Sequence, residues 1–199
     1  MSARIEPARP PYSAEIQAAL GRIMPPGVAP LTLFTTLARD PRLFERFRRA
    51  ALLDKGHLTL RQREIVIDRV TALSGSEYEW GVHAAFFANE AGLDAAMLAS
   101  LVNGGARDPC WSAEDRVLIE VCDQLHANSD LDDRLWTDLA GCLSEMAILE
   151  VLMLAGFYRT VSYLTNALRL PLENFAERFP AASLPVPETE RAPPPTPSP

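Results

Sequence analysis

Polar residues that cap helices recur through the middle of this chain, each just before an apolar run of helical period. Thr59-x-x-Gln62 precedes Ile65, Val66, Ile67, Val70 and Leu73, and Ser76-x-x-Glu79 precedes a run that ends at Gly92. Asp94 stands before Ala95–Val102, and Ser112-x-x-Asp115 before Val117, Leu118, Val121 and Leu125. In a capping box the first side chain accepts a backbone N–H three residues on, and the fourth residue reaches back, so the helix start is fixed locally. Gly75 and Asn103-Gly104-Gly105 provide stops. No stretch alternates apolar and polar residues as a half-buried strand would. The fold class expected is all-α.

Further helices follow from the same signals. Leu31–Ala38 ends before Asp40-Pro41, and Pro41 opens a helix whose inner face is Leu43, Phe44, Phe47, Ala50 and Ala51. Another runs from about Asp130 to Ala140, and the most apolar of all from Glu145 to Leu168. Hydrophobic residues make up 48% of the 199, enough for one sizeable core. We expect an extended N-terminal arm over residues 1–12, a single all-α domain over 13–180, and a disordered Pro-rich tail over 181–199.

Charge and cysteine usage narrow the setting. A net charge of −7 speaks against a nucleic-acid partner, which needs a basic face. The apolar segment Ala147–Leu164 is interrupted by Glu150 and Arg159, so it reads as a buried helix and no membrane partner is expected. The N-terminus has no apolar stretch of the signal-peptide kind, and Cys110, Cys122 and Cys142 form no C-x-x-C, which suggests reduced thiols and a cytoplasmic protein.

Proton-carrying side chains converge at one place. On a helix beginning at Ser76, Glu79 and His83 form an i,i+4 pair on one face. A tight turn at Ser74-Gly75 brings Glu64 of the preceding helix to the same patch. A carboxylate beside an imidazole raises its pKa and fixes its tautomer, whereas burial lowers the pKa, so the group is suited to acid–base work. Tyr78 offers a further donor near the helix start. Plainer readings stand beside this one: Ser76 and Glu79 serve as a cap only, His83 as a hydrogen-bonded core histidine, and Glu64 as a solvated neighbour of Arg61 and Arg63.

Other candidates carry less. Glu79-x3-His83 differs from the Glu-x-x-His of di-iron helices, and no metal is expected. His57 reads as a loop residue, and His126 as a partner of helix-terminal carbonyls. Arg42, Arg46, Arg48 and Arg49 read as a solvated helix face, and Trp80 as a packing or interface residue.

Glu64, Ser76, Glu79 and His83 fall on the spacing Glu-x11-Cys-x-x-Cys-x3-His, with both cysteine positions replaced. With Pro30–Phe34, Arg61–Ile67, Tyr78–His83, Gly156-Phe157-Tyr158 and Asn166-Ala167-Leu168, the chain resembles the alkyl hydroperoxidase D-like branch of the carboxymuconolactone decarboxylase superfamily from Ile5 to Pro180. The resemblance implies an all-helical homo-oligomer (a dimer, trimer or hexamer), a small-molecule substrate and no cofactor. Its redox members use a thiolate and a resolving cysteine, which serine and glutamate cannot replace. What it implies here is the chemistry of the decarboxylating members: a lyase acting on a small carboxylated lactone or carbonyl compound. His83 would be the proton donor, Glu64 and Glu79 its tuning and relay partners, and Ser76, Tyr78 and Tyr158 substrate-binding residues. Isomerase, hydratase or hydrolase chemistry on the same residues stands as the alternative, followed by a thiol peroxidase and a non-catalytic scaffold.

Overall fold

The computed structural model describes residues 3–181, and these residues form nine helices and no strand. They are α1 (Ala14–Ile23), α2 (Thr32–Leu37), α3 (Pro41–Ala50), α4 (Leu60–Leu73) and α5 (Glu77–Ala91). α6 (Ala95–Asn103), α7 (Ala113–Asn128), α8 (Asp133–Cys142) and α9 (Glu145–Leu168) complete the chain. The expected tail, residues 181–199, lies outside the described residues except for Ala181.

α4 is the hub, packed against α5, α6, α7 and α9. Its start is the reciprocal Thr59–Gln62 box, with both bonds formed. Residues 64–71 are all buried, so polar side chains enter the core together with Ile65, Val66 and Ile67. Such groups are costly to bury unless partnered. Arg69 meets that demand through Asp123 at 2.7 Å and the carbonyls of Leu101 and Gly104. Asp68 does not: neither of its carboxyl oxygens has a partner.

Gly75 takes the left-handed conformation, φ 63°, that a side chain disfavours, and the chain reverses there into α5. The expected Ser76–Glu79 capping box does not form. Ser76 has no side-chain cap bond. Its hydroxyl lies 2.8 Å from that of Thr165 on α9, a partner that sequence spacing does not reveal. α8 begins at Asp133, capped by Asp132, later than expected and ends at Cys142. On α3 Phe44 is buried, but Leu43 is 45% exposed and lies off the inner face.

α9 buries Ile148, Val151, Leu154, Tyr158 and Val161 at helical spacing. It is long and apolar enough to cross a bilayer, and that face is packed in the bundle. Its outer face leaves Met146, Leu149, Met153 and Tyr163 exposed. Residues 171–180 form a strap across the back of α5. Glu177 N–H donates to the Gly81 carbonyl at 3.0 Å, and Phe179 packs on Trp80 at 5.2 Å between ring centroids. A Cβ at position 81 would lie 2.2 Å from the Glu177 carbonyl oxygen, so only glycine permits this approach.

Candidate active site

Three helices meet at His83. α5 carries it beside Glu79, α4 supplies Glu64 and α9 supplies Tyr158, all four nearly inaccessible to solvent. His83 Nδ1 lies 2.7 Å from Glu64 Oε2, and Nε2 lies 3.6 Å from Glu79 Oε1. The first distance is a hydrogen bond; the second is an ion-pair separation too long for one. The carboxylate at Nδ1 assigns the proton there, leaving Nε2 directed to Glu79. Burial opposes a charged imidazole, but the charge and hydrogen bond of Glu64, followed by Glu79, raise the His83 pKa to about 10. His83 therefore stands as an imidazolium at neutral pH.

Glu64 is held from its other side. Arg63 Nε donates to Glu64 Oε1 at 3.0 Å, and Arg63 Nη1 to the Leu53 carbonyl at 3.1 Å. The guanidinium also lies over Phe87, 5.6 Å from the ring centroid. Glu64 is thus no solvated residue but the bridge between Arg63 and His83. Behind it on α4, burial and the Glu64 charge push the Asp68 carboxyl well above its ordinary range, against the pull of His83. Tyr158 meets the His83 ring edge-on at 5.0 Å, and burial with the Glu79 and Glu64 charges raises its phenol.

A cavity of about 300 Å³ opens onto this cluster. Glu79, His83 and Tyr158 lie in its wall, which is otherwise mostly apolar, including Phe34, Phe47, Phe86, Phe87 and Phe157. Of the expected substrate-binding residues, Tyr158 alone lines it. Ser76 is fully buried against Thr165. The Tyr78 hydroxyl bonds the Leu33 amide and Glu173, so it fastens α2 and the strap rather than facing the cavity. One oxygen of Glu79, Oε2, has no hydrogen-bond partner among the described residues.

None of the three cysteines lines the cavity, and burial pushes the Cys122 thiol up to about 12. His126 does not bond helix-terminal carbonyls as expected: its Nδ1 accepts from Arg159 Nη1 at 2.9 Å. Arg48 and Arg49 pair with Glu45 along their own helix. Sequence reasoning missed the parts played by Arg63, Asp68 and the aromatic wall. Asp68 carried a signal, being four residues beyond Glu64 on the same helix face. The aromatic wall carried none, because it is assembled from four helices.

Fold and site together define a helical protein with a buried carboxylate–imidazole cluster beside an apolar cavity. Residues 41–121 match the carboxymuconolactone decarboxylase family. Among solved structures, a peroxidase-related protein from Silicibacter sp. TM1040 superposes with a TM-score of 0.75 at 15% identity, over 87% of this chain and 95% of that one. An AhpD-core, peroxidase-related protein from Ralstonia eutropha JMP134 gives 0.71 at 12%, over 87% and 95%. The debrominase Bmp8, solved as a cysteine-to-alanine variant with 2,3,4-tribromopyrrole, gives 0.62 at 13%, over 88% and 94%. Such identities speak for the fold alone. No curated protein sequence matches the chain. The chain is thus similar to the carboxymuconolactone decarboxylase family over residues 41–121 and shares the fold of the AhpD-like, peroxidase-related proteins.

Proposed function

We propose that this chain is an acid–base enzyme that moves protons at a carbon beside a carbonyl group, through an enolate, with the decarboxylase-like lyase as its family form. The observation that carries the reading is His83 held between Glu64 and Glu79 in the wall of an apolar cavity that contains no thiol. Loss of carbon dioxide, or removal of a proton, leaves the same electron pair on carbon. The His83 imidazolium, a hydrogen-bond donor in a water-poor site, stabilises the developing oxyanion or returns a proton to carbon. Glu64 holds the charge and tautomer of His83, Arg63 holds Glu64, and Tyr158 is a second donor for the oxyanion. Glu79, with one oxygen unpartnered, is the base where a proton must leave carbon, which favours an isomerase form of the same chemistry. The debrominase structure holds a brominated pyrrole, which supports a small ring compound as the kind of substrate.

Screening small carbonyl compounds for carbon dioxide release and for deuterium uptake from D₂O tests this. His83→Ala and Glu64→Ala, checked for folding, are expected to lose any activity found; retention in both defeats the assignment. We further propose a cytoplasmic homo-oligomer, with the outer face of α9 around Met146, Leu149 and Met153 as the contact.

A further inference from the structure

The charges around the cavity say which substrates it admits. Of the described residues in its wall, the only ones that ionise are Glu79, His83, Glu90 and Tyr158; none is Lys or Arg. Tyr158 stays neutral because burial and nearby carboxylates oppose its phenolate. His83 is cationic, but Glu79 stands 3.6 Å from it on the cavity side and Glu64 2.7 Å away on the other. The Arg63 guanidinium lies outside the lining, with Nε held by Glu64 and Nη1 by the Leu53 carbonyl. In the buried part of the wall Glu79 and His83 balance each other, where solvent screens poorly, and the exposed Glu90 adds a negative charge at the mouth. A carboxylate entering there would lose its hydration and meet no free cation. An ammonium fares no better: Glu79 is already opposed by His83, and Glu90 is exposed at the mouth, outside the buried wall.

We infer that the substrate is an uncharged, ring-sized, largely apolar ketone or ester, not a carboxylate. This rests on the acid–base reading of the site and selects its enolising form over decarboxylation. In that form Glu79 takes a proton from the carbon beside the carbonyl. The C–H electron pair moves into the enolate, whose oxygen accepts from His83 Nε2–H. The proton then returns from Glu79 to the same carbon or to the far end of a conjugated system. No oxidant or reductant is consumed. The sequence-based expectation of a carboxylated lactone is the part of the reading this replaces.

Three probes separate the possibilities: 2-tetralone, a tetralone bearing a ring carboxylate, and one bearing a ring ammonium. Affinity is measured by calorimetry on the full chain near neutral pH, and loss of the α-proton signal in D₂O by NMR. The neutral ketone is expected to bind at least about tenfold more tightly than either charged one, or about 1.4 kcal/mol. Glu79→Gln, which removes one negative charge, is expected to narrow the gap to the carboxylate and to abolish exchange. Equal or tighter binding of the carboxylate or the ammonium overturns the inference; His83-dependent turnover of such a probe would leave the acid–base reading standing. Preferential binding of the neutral ketone without exchange supports the inference and counts against enolisation. Failure of all three to bind overturns both.

Discussion

Replacing Glu64 by Gln probes how the site sets the charge of His83. Burial, the largest single effect, opposes the imidazolium, and Glu64 together with Glu79 more than offsets it, so the pKa rises from 6.5 to about 10. A group with a raised folded pKa binds more protons in the native state than in the unfolded one. Its stabilisation is complete below the unfolded value and is lost as pH rises through the folded value. Between about pH 6.5 and about pH 10 this group alone makes wild-type stability fall by about 1.4 kcal/mol per pH unit. Without Glu64 the buried ring loses its strongest cationic support and most of that slope. The stability gap between wild type and Glu64→Gln therefore narrows by about 3 kcal/mol from about pH 7 to about pH 9. For a chain of this size that is roughly 6–12 °C in Tm. Urea or thermal unfolding of both proteins at matched pH measures the gap, and other groups titrating in this window cancel in the difference. A gap that stays constant across the window refutes the argument that Glu64 sustains a charged His83.

Gly81→Ala would set a Cβ against the Glu177 carbonyl, so it is expected to cost about 1–3 kcal/mol by melting and to speed proteolysis of the strap. Asp68→Asn removes a buried carboxyl that has no partner and whose pKa burial raises. It is expected to stabilise the protein by about 1–2 kcal/mol near neutral pH and by less in acid, since the stability Asp68 confers is present below the ordinary carboxyl pKa and lost as pH rises. Met153→Glu puts a charge on the outer face of α9 and is expected to lower the mass seen by light scattering if that face joins subunits. Alanine at Cys110, Cys122 and Cys142 is expected to leave any activity found above within about twofold of wild type, because none of these thiols reaches the cavity.

The parts of this fold that were legible in the sequence are those decided over a few residues. Thr59, Asp94 and Ser112 cap their helices because the amides they satisfy lie three residues on. Glu64 and His83 were foreseeable as neighbours because a single tight turn at Gly75 joins their helices. Ser76 failed as a cap because Thr165, remote in sequence, engages its hydroxyl. Tyr78 failed as a cavity residue for the same kind of reason, its hydroxyl being taken by Leu33 and Glu173. The net charge of the cavity was invisible as well, since it depends on which of many exposed charges the bundle excludes from one wall. Arg63 stands next to Glu64 in the chain, yet only the packing of α4 turns it inward.

The strap behind α5 has a consequence for altering this protein. Gly81 and Trp80 anchor the helix from the rear, while Glu79 and His83 face forward from the same two turns. Alignment of the helix is thus set by residues that take no part in the chemistry. Substitution at position 79 would change the chemistry of that face without touching those anchors. The forward face behaves as an exchangeable cartridge in a fixed mount, and new chemistry can be installed there with the mount left in place.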